Sequence, residues 1–233
     1  MIREKKILAI VPARGGSKGI KKKNIYPILG KPLINYTDEL ITSCNWIDYA
    51  VVSTDDPNIG NLSLLNFDFI RPSEISGDGV GDFPVVEHAL QQCESRCREK
   101  FDIILLLQPT SPMRTETDLL AAINKLIDGS FDSLMSVSET DSKGHPFKQF
   151  ILQNETIKHW TVEGEKIITR QELNTTYHKD GIVYAFTREC ITNQKSIFGK
   201  KHTYQITKRK VVNIDTIDDM QYFEYLLKNN YHD

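Results

Sequence analysis

The stretch Ile7-Leu8-Ala9-Ile10-Val11-Pro12-Ala13-Arg14-Gly15-Gly16-Ser17-Lys18-Gly19-Ile20-Lys21-Lys22-Lys23-Asn24 decides how this chain is read. Its first five residues are apolar without a break. That is the pattern of a strand buried on both faces, not the alternation of a half-exposed one. Glycines and basic residues follow at once. Gly15, Gly16 and Gly19 let the backbone turn tightly and approach a ligand closely. Successive N–H groups in such a loop make a concavity for anions, and Arg14, Lys18 and Lys23 add charge to it. A charge run standing alone is a solvated loop. One placed directly after the first strand of an α/β sheet points instead to phosphate. The spacing is neither G-x-G-x-x-G nor G-x-x-x-x-G-K-[ST], so the dinucleotide fingerprint and the P-loop are both set aside.

Outward from that loop, short apolar runs alternate with helical periodicity. A helix is predicted over Pro32–Thr42, with Pro near its first turn. A strand follows over Tyr49–Ser53, then a helix to about Leu65 and a short strand at Phe67–Ile70. Pro84–Lys100 is a helix, and Asp102–Leu107 is the clearest strand. In Thr115–Ile127, Leu119, Ala122, Ile123 and Leu126 recur at helical spacing. Ser133–Val137, Gly181–Phe186 and Val211–Ile214 are strands, and Ile217–Leu227 is a closing helix. This βαβ alternation predicts a Rossmann-like, mostly parallel, doubly wound α/β sheet in a single domain covering 1–233. Ligands then sit at the carboxyl ends of strands, on the loops after Val11, Ser53 and Leu107. From about Ser138 to Tyr177 the texture turns polar, with short β-like pieces at Phe150–Leu152, Ile157–Thr161 and Lys166–Thr169. That stretch is an excursion from the main sheet.

The bulk numbers bound the function classes. With 29 basic and 31 acidic residues the chain carries no global positive field, which argues against nucleic acid as partner. The lysine cluster Lys21–Lys23 lacks interleaved aromatics. No apolar run approaches membrane length, and the N-terminal one is too short for a secretion signal, so a cytoplasmic location without membrane partners is expected. Cys44, Cys93, Cys97 and Cys190 lack companions at zinc-ligand spacing and read as free thiols.

The loop Pro12–Gly19 with Lys23-Asn24 resembles the signature of the CMP-sialic acid synthetase family, the acylneuraminate cytidylyltransferases. So do Leu106-Leu107-Gln108-Pro109-Thr110-Ser111-Pro112-Met113-Arg114 and Val51-Val52-Ser53-Thr54-Asp55. Arg71-Pro72 before Ser76-Gly77-Asp78, and Asn213-Ile214-Asp215-Thr216, fit as well. These motifs run over nearly the whole chain. The resemblance implies a nucleotide-diphospho-sugar-transferase fold and a homodimer, with segment 138–177 as an arm reaching the neighbouring subunit. It implies that Arg14, Lys18 and Lys23 bind and work on the CTP phosphates. Ala13, Gly15, Gly16, Ser17, Asn24, Arg71 and Asp78 would contact the nucleotide. Gln108, Lys148 and Arg170 would contact a sugar acid, Lys148 reaching it from the partner subunit. Asp215 would hold Mg2+, although it also reads as the N-cap of the last helix. Tyr184 belongs to the core. No general base is evident; His88 and His178 are candidates by residue type alone.

The implied reaction is transfer of CMP from CTP to a nine-carbon 2-keto sugar acid of sialic, legionaminic or pseudaminic type. An eight-carbon acid, or a nucleotide-binding homologue without turnover, are the alternatives. Three departures bear on the choice. Lys21 stands where the family often has Pro, and Asn213 where some members have Asp. Gly79-Val80-Gly81-Asp82 stands where several carry Thr and Ser, and Asp82 adds negative charge there.

Overall fold

The computed structural model describes residues 1–17, 19–166 and 169–229. In chain order it contains β1 (Ile7–Pro12), a two-strand ribbon of β2 (Pro27–Ile28) and β3 (Lys31–Pro32), and α1 (Leu33–Ser43). Next come β4 (Tyr49–Ser53), α2 (Pro57–Leu62), α3 (Asp82–Cys97), β5 (Ile103–Leu106), α4 (Glu116–Asp128) and β6 (Ser133–Glu139). A hairpin of β7 (Phe150–Gln153) and β8 (Thr156–His159) is followed by β9 (Tyr177–Thr187), α5 (Arg188–Thr192), β10 (His202–Ile206) and α6 (Ile217–Lys228).

The main sheet has six strands in the order β10-β6-β9-β5-β1-β4. β1 pairs in parallel with β4 and β5, and β10 with β6. β9 runs antiparallel to both its neighbours, β5 and β6. The sheet is therefore mixed, and this reversal brings the amino end of β9 to the edge where the other strands end. Lys179, Asp180 and Gly181 thereby join the loops that follow β1, β4 and β5.

Period-two alternation along each strand feeds two cores. Ile7, Ala9, Val11, Leu105 and Val183 face α1 and α4, meeting Ile34, Ile41, Leu119, Ile123 and Leu126. Leu8, Ile10, Ile104, Leu106 and Phe186 face α3, meeting Val86, Ala89, Leu90 and Cys93. Each large side chain buried in this way contributes roughly 1.5–3 kcal/mol. A third cluster joins Ile20 and Ile28 to Leu33, Ile214, Met220, Phe223 and Leu226, so α6 anchors the far end of the glycine-rich loop.

Four expectations are corrected. Phe67–Ile70 is not a strand: only isolated parallel bridges, Val51 to Asn66 and Thr54 to Ile70, tie this region to β4. Between them Phe67 turns its ring inward, where it lies 2.5 Å from the Cβ position of Gly60. Val211–Ile214 is not a strand either. Val212 and Ile214 alternate because they pack under α6, and Ile214 N–H donates to Thr110 O at 2.7 Å. The last strand is β10, a half-exposed edge whose polar residues hid it. Lys166 closes a 3-10 turn, Val162–Lys166, and residues 167 and 168 of the expected β piece lie outside the described residues. Finally, β6 extends to Glu139 and β9 starts at Tyr177, so residues 138, 139 and 177 belong to the main sheet.

All four cysteines are free thiols. Among the described residues no helix is long and apolar enough to cross a membrane.

Candidate active site

A cleft of about 280 Å³ opens at the carboxyl ends of β1 and β5, walled by the segment from Arg71 into α3. Arg14, Ser17, Lys23, Asn24, Arg71, Asp78 and Gln108 all line it. Residues separated by almost a hundred positions thus meet in one cleft, although the loop directly after Ser53 does not line it.

The loop is held open by its own polar contacts. Buried Asn24 donates from Nδ2 to the Arg14 carbonyl at 3.0 Å, so it shapes the loop across its mouth. Gly15 N–H donates to Asp55 Oδ1 at 2.8 Å. A Cβ on Gly15 would stand 2.8 Å from Asp56 Cβ, and one on Gly19 would stand 3.1 Å from the Asp215 carbonyl. A side chain at Gly15 would collide with that of Asp56, and one at Gly19 would crowd the Asp215 carbonyl. Gly16 has open space around it, which leaves its side accessible to a ligand. Ala13 is fully buried, its N–H bonded to Ser53 O; it supports the loop and does not line the cleft. Lys18 lies outside the described residues, as does the side chain of Arg170.

The charges pair across the cleft. Arg14 Nη1 forms an ion pair with Asp78, so a triphosphate entering here competes with that carboxylate for Arg14. Lys23 Nζ donates to Ile214 O at 2.9 Å and to Asp215 Oδ1 at 3.0 Å. Its ammonium is aimed and largely desolvated while the Asp215 carboxylate stays exposed. Arg71 is buried, donates to Ser76 Oγ at 3.0 Å, and has Asp55 at 3.8 Å. Burial holds its pKa below the ordinary arginine value, with Asp55 opposing that shift. Lys21 and Lys22 are exposed.

The N-cap of α6 is Thr216, not Asp215: Thr216 Oγ1 accepts from Asp219 N–H and Asp219 Oδ2 accepts from Thr216 N–H. The Asp215 side chain is thereby left to Lys23 and to anything bound beside it. Among the described residues no three acidic, His or Cys side chains cluster to hold a metal. One exposed carboxylate beside a phosphate loop fits magnesium, which takes few protein carboxylates and fills its octahedron with phosphate oxygens and water.

Gln108 is carried at the end of β5, and the motif after it is locked by Arg114. That buried guanidinium donates to Gln108 O at 2.6 Å, Gly181 O at 3.3 Å, Ile182 O at 2.9 Å and Thr37 Oγ1 at 2.6 Å. Burial pulls its pKa down to about 9, so it stays charged at neutral pH. Gly181 has φ +73°, and a Cβ there would stand 2.3 Å from Ser111 Oγ. Tyr184 is buried, with its phenol pushed up to about 12, first by burial and then by Asp82 and Asp180; it belongs to the core, as expected. Lys148 ends a 3-10 turn, Pro146–Lys148, and does not line the cleft. Neither His88 nor His178 lines it. His88 packs edge-on against Phe69 at 5.1 Å, and His178 Nδ1 lies 3.2 Å from Thr140 Oγ1.

Asp55, Arg114 and Lys179 were not singled out from sequence as site residues. Asp55 and Arg114 lie inside motifs quoted there, so the signal was present; Lys179 reaches the site only through the reversal of β9.

The family model described as "Cytidylyltransferase" matches residues 8–228. This chain belongs to the cytidylyltransferase family. It is an enzyme of the nucleotidyltransferase class. A pseudaminic acid cytidylyltransferase of Campylobacter jejuni is 31% identical over 232 residues, covering 97% of this chain and 98% of that protein. A CMP-N,N'-diacetyllegionaminic acid synthase of Legionella pneumophila is 28% identical, covering 97% of each. Among solved structures, a CMP:2-keto-3-deoxy-manno-octonic acid synthetase complexed with CTP superposes with a TM-score of 0.70 at 16% identity. It covers 97% of this chain and 99% of that one, a likeness of fold.

Proposed function

We propose that this cytidylyltransferase activates a nine-carbon 2-keto sugar acid with CTP, giving the CMP-sugar and pyrophosphate. The observation that carries the reading is that Arg14 and Lys23 on the glycine-rich loop share one cleft with Arg71, Asp78 and Gln108, with Lys23 paired to Asp215 at the start of α6. Relatives named for pseudaminic and legionaminic acids, aligned over nearly the full chain, favour the nine-carbon class over an eight-carbon acid.

In this reading the anomeric hydroxyl oxygen attacks the α-phosphorus. The new O–P bond forms as the bond to the bridging β-phosphate oxygen breaks, and the hydroxyl proton leaves to solvent. Pyrophosphate carries the departing electron pair. Lys23 opposes the charge growing on that leaving group, and Arg14, with Lys18 beside it in sequence, holds the phosphates. Preorganised cations of this kind favour the transition state without covalent participation by the protein. Asp215 would hold magnesium, which when bound neutralises phosphate charge. Arg71 and Asp78 would take the nucleoside, and Gln108 the sugar. Lys148 and Arg170 would meet the acid's carboxylate, Lys148 from the partner subunit of a homodimer.

Purified protein incubated with CTP, magnesium and a panel of sialic, legionaminic, pseudaminic and eight-carbon acids should release pyrophosphate with one of the nine-carbon acids. Release only with the eight-carbon acid, or with none, overturns the reading.

A further inference from the structure

Strand β9 loses register with β6 as it passes the end of β5. Met135 pairs with Tyr184 and Val137 with Lys179, so β6 has only Ser136 between those partners while β9 has Asp180, Gly181, Ile182 and Val183. β9 leaves β5 at the same place, with Leu106 opposite Tyr184. Ordinary bulges carry one extra residue, and they recur beside active sites, where they re-aim a side chain. This one is larger, and at Gly181 it lies against the Gln108 side chain: a Cβ there would stand 3.7 Å from Gln108 Oε1.

Buried side chains satisfy the backbone groups that the interrupted ladder frees. Asp180 and Ser136 are both buried, and neither lines the cleft. The Asp180 carboxylate accepts from Ser136 Oγ, from Ser138 Oγ at 3.0 Å and from Ile182 N–H at 3.0 Å. Ser136 Oγ in turn accepts from Val183 N–H at 2.9 Å. The Gly181 and Ile182 carbonyls go to Arg114, whose Nη2 also holds the Gln108 carbonyl. One guanidinium thus ties the bulge to the backbone of Gln108. Stability does not explain this arrangement. A regular ladder between β6 and β9 would pair the same backbone groups without burying a carboxylate and a guanidinium, whose desolvation is costly. What the bulge yields is a fixed wall beside Gln108, whose side chain faces the cleft.

We infer that Asp180 is a positioning residue: by holding the bulge on Ser136 and Ser138 it sets the Gln108 side chain for the sugar acid, without itself touching either substrate. The inference rests on the reading of Gln108 as a sugar-acid contact. Asp180→Ala removes the acceptor for three donors. Asp180→Asn keeps the arrangement, because Oδ1 can accept from Ser136 and Ile182 while Nδ2 donates to Ser138 Oγ.

The test is a double-mutant cycle of Asp180→Ala with Gln108→Ala, read as kcat/KM for the sugar acid that wild type turns over, with CTP KM measured in parallel. Each single variant should lose about tenfold or more of kcat/KM with CTP KM within about twofold. The double variant should be little worse than Gln108→Ala alone, and Asp180→Asn should recover most of the loss. Losses that multiply overturn the inference, as does a loss carried by CTP KM or an Asp180→Asn variant as poor as the alanine. If Gln108→Ala leaves the acid's kinetics unchanged, the reading of Gln108 fails and the inference with it, a result distinct from multiplied losses. Absence of turnover with every acid overturns the proposed function itself and the inference with it. Should Asp180→Ala melt far below wild type, Ser136→Ala takes its place in the cycle with the same outcomes expected.

Discussion

Lys23 shows how one residue is prepared for a task before substrate arrives. Its Nζ is fixed by the Ile214 carbonyl and the Asp215 carboxylate, so its charge is positioned with little reorganisation left to do. If it acts on the leaving pyrophosphate, its contribution is larger in the transition state than in the bound ground state. Lys23→Ala should then lower kcat by about 10²–10³ while CTP KM moves much less; steady-state kinetics at saturating sugar acid checks this. A rise in KM with kcat unchanged would make Lys23 a binding group only.

A different residue-scale effect lies on α1, outside the cleft lining. Asp38 is fully buried. Its Oδ2 accepts from Ser63 Oγ at 2.8 Å and Leu64 N–H at 3.0 Å, and its Oδ1 has no partner. Burial pushes its pKa up from 3.8 to about 6. Between those values the folded state holds the proton more tightly than the unfolded chain does. The stabilisation from that proton is complete below about pH 4, is lost as pH rises to about 6, and amounts to at most about 3 kcal/mol. Denaturant titrations of wild type and Asp38→Asn at pH 4, 5, 6 and 7 should show the variant gaining relative to wild type as pH rises through this window. A pH-independent difference would contradict the assignment.

At the scale of elements, α6 links stability to the glycine-rich loop. Phe223 is 2% exposed and meets Tyr36 edge-on at 5.2 Å. It belongs to the cluster that also holds Ile20 and Ile214, the residues flanking the loop and Asp215. Phe223→Ala should cost about 3–5 kcal/mol in urea unfolding and should raise CTP KM, because the cavity lies under the loop's anchor. The same element shows what could be read in advance. Ile217–Leu227 was visible as a helix because its apolar positions repeat at helical spacing. Val211–Ile214 misled because alternation records which side chains are buried, not which backbone groups are paired. The loop residues Arg14, Lys23 and Asn24, with Gln108, were legible because strand-end position and residue type agree. The pairing of Arg14 with Asp78 was not, since it depends on how loops after different strands meet. The reversed direction of β9 was equally hidden: Gly181–Phe186 is a continuous apolar run, and such a run is the same read in either direction.

For the whole molecule, the hairpin β7–β8 and the turn after it are the feature a single chain leaves unexplained. Leu152 is 79% exposed, Val162 69%, Trp160 63% and Ile157 62%. Side chains of this size on one small two-stranded projection form the kind of patch that marks an interface, and an isolated hairpin is marginal in water without a partner surface. The homodimer proposed above would cover this arm and bring Lys148, near its base, to the neighbouring cleft. Analytical ultracentrifugation of the wild-type chain should give the mass of two subunits, and Leu152→Asp with Trp160→Asp should give one. If Lys148 serves the neighbour's site, Lys148→Ala and Lys23→Ala should each be nearly inactive alone. Mixing them under conditions of subunit exchange should then restore activity, because a hybrid dimer contains one cleft with both lysines intact. A monomeric wild type removes the arm as an interface; a dimer without complementation keeps the interface but confines each active site to its own chain.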